Sequence, residues 1–111
     1  MGAGQRTELI VIERETRTRV RGGDFTSAWA ELGRMWAEAA YIGGSESAST
    51  GALRTTLRYR FTVPAEAVRQ LGVTPADRIL WNGGTYNIRE VPRRMAGSPE
   101  LSLIGETGVP Q

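Results

Sequence analysis

Leu53-Arg54-Thr55-Thr56-Leu57-Arg58-Tyr59-Arg60-Phe61-Thr62-Val63 is the stretch that decides the fold, because Leu53, Thr55, Leu57, Tyr59, Phe61 and Val63 alternate with Arg54, Thr56, Arg58, Arg60 and Thr62. A two-residue period sends the two sets to opposite faces of a strand, one toward a core and one, rich in arginine, outward. Pro64 ends the run, since it has no N–H to give to a ladder. Residues 65–71 then read as one or two helical turns before Gly72. Upstream, the β-branched run Ile10-Val11-Ile12 marks a first strand over residues 7–15. Its Arg-rich continuation closes on Gly22-Gly23-Asp24 and reads as a turn or exposed arm.

Between these strands the signals conflict. Trp29, Leu32, Trp36, Ala39 and Ala40 recur at helical spacing among good helix formers. The tract over residues 43–51 is Gly- and Ser-rich with nothing to bury, and reads as a long polar loop carrying Ser45, Glu46, Ser47, Ser49 and Thr50. Downstream, residues 77–91 read as a hairpin. Centring its turn on Gly83-Gly84 sets Trp81 against Tyr86 and Ile79 against Ile88, so both apolar pairs share a face. Centring it on Asn82-Gly83 would set Asp77 against Ile88, and the first register is therefore expected. A last strand around Leu101-Ser102-Leu103 follows a linker over residues 92–99. The expected core is Trp36, Leu57, Tyr59, Phe61, Ile79, Trp81, Tyr86 and Ile88.

Composition narrows the chemistry. Among 111 residues there is no Cys and no His, which removes disulfides, zinc clusters, Cys nucleophiles and His acid-base catalysis. Asn82-Gly83-Gly84 lacks the Lys-Ser/Thr and following helix of a phosphate loop. The 12 carboxylates fall in no pattern that pairs two for acid-base work. No enzyme and no cofactor are expected. The aliphatic run Leu9-Ile10-Val11-Ile12 falls far short of the roughly 20 apolar residues that span a bilayer, and no signal-peptide pattern opens the chain. A soluble protein without membrane contact is the expectation.

All 14 basic residues are Arg, and the formal net charge is +2 despite a pI near 9.7. Three readings of the Arg face at Arg54, Arg58 and Arg60, with Arg14, Arg17, Arg19 and Arg21 upstream, stand side by side: a track for a phosphate backbone, a solvated face, or a surface meeting carboxylates of a neighbouring subunit. The near balance of charge and the bidentate geometry of Arg favour the last. Trp29, Trp36 and Trp81 are too scattered for a base-stacking platform.

One resemblance joins these pieces. Ser27-Ala28-Trp29, Met35-Trp36-Ala37-Glu38, the polar tract, Leu57-Arg58-Tyr59-Arg60, Thr74-Pro75-Ala76-Asp77-Arg78-Ile79-Leu80-Trp81 and Thr85-Tyr86-Asn87-Ile88-Arg89-Glu90-Val91 resemble the head-tail joining (head-closure, stopper or adaptor) proteins of tailed bacteriophages, over about residues 7–106. The resemblance implies a mainly β fold, a small antiparallel β-barrel (SH3-like) with a long polar loop and one short helical turn, in a single domain over residues 1–111 with flexible ends at 1–6 and 107–111. It implies a strand over residues 35–41 in place of the helical pattern. It also implies a non-enzymatic subunit of a homo-oligomeric ring in the virion neck, assembled in the bacterial cytoplasm. The portal or an adaptor would lie on the head side and a tail terminator on the tail side, and packaged DNA would touch the ring transiently in its channel. The polar loop would project toward that channel, with Arg54, Arg58, Arg60, Arg17 and Arg19 facing subunits or partners. Residues 64–73 depart from the family as an insert. The stretch from Phe61 to Arg78 is similar instead to the swapped-hairpin DNA-binding domains of AbrB-type regulators and antitoxins, although Ala76 stands where Gly usually precedes the Asp. That alternative predicts a dimer that binds duplex DNA.

Overall fold

The computed structural model describes residues 6–49, 52–92 and 97–107, and the side chains of 45–49 and 52–55 lie outside that description. Along the chain run β1 (Glu8–Arg19), β2 (Phe25–Ser49), β3 (Ala52–Pro64), α1 (Ala65–Leu71), β4 (Arg78–Trp81), β5 (Gly84–Glu90) and β6 (Glu100–Glu106). The strands close into an antiparallel barrel in the order β1-β2-β3-β6-β5-β4. Closure leaves no sheet edge along the barrel wall. The segment that resembles a swapped hairpin is spent within one chain on β3, α1 and β4.

Alternation fills the barrel. Ile10 and Ile12 of β1, Met35 and Ala37 of β2, Phe61 and Val63 of β3, Ile79 of β4, Ile88 of β5 and Leu103 of β6 point inward and are buried. Each fully buried large apolar side chain stabilises the fold by about 1.5–3 kcal/mol relative to exposure. One end is plugged by rings: Tyr59, Phe61, Trp81 and Tyr86 meet largely edge to face, with Tyr59 5.0 Å from Trp81 and Phe61 5.6 Å from Tyr86. Gly105 makes this possible, because a Cβ there would lie 3.0 Å from both Phe61 and Tyr86. The half-buried Trp81 donates its indole N–H to Glu8 at 3.0 Å.

The insert closes the other end. Pro64 opens α1 and Gly72 ends it in the left-handed conformation at φ 66°. Val68 and Val73 join the core, and Leu71 lies across Gly33, where a Cβ would come within 2.7 Å of it.

The helical spacing over residues 27–41 yields to a strand, as the family resemblance implies. β1 pairs with these residues up to Ala37 and β3 takes over from Glu38, and alternation buries Met35 and Ala37 while turning Trp36 and Glu38 outward. Trp36 is therefore not core but 55% exposed on the barrel wall. Leu57 is also exposed, because β3 pairs with β6 only from Arg58 onward and Leu57 lies beyond the barrel. The expected polar loop is instead strand: residues 43–49 pair with residues 52–58 of β3, and only 50–51 fall outside the described residues. Small polar side chains read as loop when no partner is in view, yet a strand ladder is made of backbone hydrogen bonds and needs nothing apolar.

The hairpin register also differs from expectation. Trp81 opposes Gly84 and Ile79 opposes Tyr86, with Asn82 (φ 52°) and Gly83 (φ 78°) forming the turn. Two consecutive residues at positive φ give the tight turn whose twist matches the flanking strands, which outweighs the side-chain pairing. Its cost is the buried Asp77, whose backbone oxygen accepts the Ile88 N–H at 3.4 Å. Toward the chain ends, Arg6 pairs with Glu100, and Thr107 bonds the backbone of Leu57 in both directions; the rest of the ends expected to be flexible, 1–5 and 108–111, lies outside the described residues.

Candidate assembly surface

β2 has 25 residues, which fully extended would reach ~80 Å at about 3.3 Å per residue, yet the molecule measures 51 × 38 × 24 Å. The strand must bend. It does so where Leu32 and Ile42 are left without a cross-strand partner and the register with β1 and with β3 shifts. Gly43, at φ 146°, follows the second bulge in a backbone region that L side chains rarely adopt. The first part of β2 pairs with β1 and the rest with β3, so each end of β2 leaves the barrel inside a two-stranded ribbon. The β1–β2 ribbon begins beyond Glu13, the last residue of β1 that pairs with β4. The β2–β3 ribbon begins beyond Arg58.

The base of the β1–β2 ribbon is fixed by charge. Asp77, fully buried, receives the Arg14 guanidinium at 2.9 and 3.0 Å and the Thr74 N–H at 2.9 Å, while Arg14 also reaches the Gly72 carbonyl at 2.8 Å. The hydrogen bonds from Arg14 to Asp77 raise the guanidinium above its ordinary pKa, with the charge attraction adding to them. Beside it Arg78 pairs with Glu13 at 2.8 Å and stacks over Trp29 at 4.0 Å. This pair of arginines ties β1, the end of α1, β4 and β2 together where the ribbon departs.

The arginines expected on one surface fall into two groups. Arg17 and Arg19 lie on the β1–β2 ribbon, Arg17 opposite Ser27 and Arg19 opposite Phe25, with the Arg19 guanidinium 5.5 Å from the Phe25 ring centre. Arg58 and Arg60 lie on the outer face of β3. Arg58 and Arg89 flank Glu106 at 4.0 and 3.3 Å, so one carboxylate is shared by two cations and the cluster keeps excess positive charge. Arg60 has no ion pair among the described residues. The Arg54 side chain and those of Ser45, Glu46, Ser47 and Ser49 lie outside the described residues, as does Thr50 altogether.

A further surface went unread in the sequence. Leu9 opposes Trp36 and Val11 opposes Leu80 on the outer wall of β2, β1 and β4, with Leu9 42% exposed. The unbroken run Leu9-Ile10-Val11-Ile12 carried the signal, since a strand apolar on both faces has both faces to cover.

No curated protein matches the chain. Among solved structures, a chain of the "Virion of native gene transfer agent (GTA) particle" has the same fold, with a TM-score of 0.72 and 24% identity over 91% of this chain and 93% of that one. A family model described as phage head completion protein matches residues 1–104, and the chain belongs to that family.

Proposed function

We propose that the chain is a non-catalytic structural subunit of the neck ring of a tailed phage or phage-like particle, where copies join the portal or an adaptor above to the tail terminator below and help close the DNA channel. One observation carries this reading: a closed barrel that satisfies its own core extends two ribbons whose exposed apolar and Arg side chains its own chain leaves uncovered. Phe25 and Val20 stand at one ribbon and Tyr41, Ile42 and Leu57 at the base of the other, all exposed. Large exposed apolar groups with arginine around them mark surfaces that are covered on assembly. Family membership supports a head-associated structural role, and the chemistry of the chain supports the absence of catalysis. It has no Cys or His, and the buried carboxylate among the described residues, Asp77, is committed to Arg14. Particles assembled without this chain are expected to fill with DNA, then lose it, and to lack tails on electron micrographs. Tailed, infectious particles assembled without it would refute the proposal.

A further inference from the structure

Two apolar surfaces of the barrel wall and ribbon share a face but cannot meet within one chain. The first is the wall patch of Trp36, Leu9, Val11 and Leu80. The second is the tip of the β1–β2 ribbon, where Phe25 is 59% exposed with Val20 nearby. Both are built on β1 and β2, and the ribbon leads directly away from the patch. From Glu13 to Arg19 it extends ~20 Å beyond the last pairing with β4. The tip therefore cannot fold back to cover its own wall, which leaves the patch open to the tip of another chain.

Charge identifies which chain. Beside Trp36 on the outer face stands Glu38, whose carboxylate has no hydrogen bond or cation among the described residues. Beside Phe25 stand Arg17 and Arg19, which have no carboxylate among them. Each surface holds an aromatic ring and a charge with no partner, since the Arg34 that opposes Val11 on the wall is already paired with Glu31. We propose that the ribbon tip of one copy seats on the wall patch of the next, with Phe25 against Trp36 and Leu9 and with Arg17 and Arg19 turned toward Glu38. This rests on the ring reading above and names the contact that would build it. Donor and acceptor surfaces differ, so the contact is head to tail, and repeated copies close into a ring. Buried aromatic rings with arginine beside them are the usual energetic centres of such contacts.

Because the chain has no Cys, Phe25→Cys and Trp36→Cys place a unique pair of thiols. Particles carrying the double variant are treated with a short thiol-specific crosslinker and resolved under denaturing conditions. A ladder of covalent multimers from the double variant, with neither single variant giving one, is the expected result. Particles that contain the double variant, retain DNA and take tails, yet yield no covalent species, would overturn the contact and leave the ring reading intact. Adducts of either single variant with a different protein would also overturn it. A covalent species that stops at dimer would keep the contact but replace the ring by a two-fold exchange of ribbons, and the ring reading would fall. Should the cysteines impair assembly, charge reversal decides. Glu38→Arg should lower incorporation into particles at least tenfold, and adding Arg17→Glu with Arg19→Glu should restore it. A lack of restoration with the monomer folded would count against the contact.

Discussion

Asp77 is the residue on which the corner of the barrel turns. Its carboxylate is buried, and it accepts two hydrogen bonds from Arg14 and one from Thr74. Removing one partner of such a pair leaves the other uncompensated, and Asp77→Ala is expected to cost about 3–5 kcal/mol in urea unfolding. Arg14→Ala should cost nearly as much, and the double variant much less than the sum, since the two changes remove one interaction. Tyr86 makes a second prediction. Burial among the rings raises its phenol above the ordinary value, with the neighbouring Tyr59 adding a little. The folded barrel thus holds the phenol protonated while the unfolded chain releases its proton first as pH rises. The stability Tyr86 contributes is complete below the unfolded pKa and is lost as pH climbs through the folded one. Tyr86→Phe should flatten this alkaline loss when denaturant midpoints are compared from pH 8 to pH 11, and an unchanged slope would show that another group causes it.

Ribbons and barrel wall are separable elements. Deleting residues 45–52 removes only the outer part of the β2–β3 ribbon, because β3 takes up its barrel partner β6 from Arg58 onward. The melting temperature should move little, while the particles leak DNA or fail to take tails; infectious particles would show that this ribbon has no part in closure. At this scale the sequence was most legible where periodicity meets a core. The alternation of β3, the short helix after Pro64 and the apolar run of β1 all stand where the residues place them. The polar tract did not read as strand, because it is paired across the ribbon through backbone hydrogen bonds, and those leave no mark on side-chain pattern. The hairpin register was missed for a different reason. Pairing rules judged Asp77 opposite Ile88 unfavourable, and the group that makes it tolerable, Arg14, lies 63 residues away. The candidate surface was half legible: arginines advertise themselves, whereas Trp36 takes its outward direction from ladder register alone.

The whole molecule is a small barrel carrying two long ribbons, with its excess charge spread between them rather than gathered. Arg58 lies 4.0 Å from Glu106 and is exposed, a pair worth under about 1 kcal/mol, so Arg58→Glu should leave the monomer folded. In the proposed ring the same change should block incorporation into particles. The free protein should bind duplex DNA no more than weakly, with affinity falling steeply as salt rises. Submicromolar binding at physiological salt, abolished by Arg58→Glu, would favour a DNA-binding regulator instead. The course of β2 has a mechanical side as well. One unbroken strand runs from the turn of the first ribbon to the end of the second, so tension between the two tips travels along covalent backbone and loads cross-strand hydrogen bonds only where that backbone bends. Such a tie can lengthen only by straightening at Leu32 and Ile42. Stiffness then belongs to the barrel, and compliance to two residues without cross-strand partners.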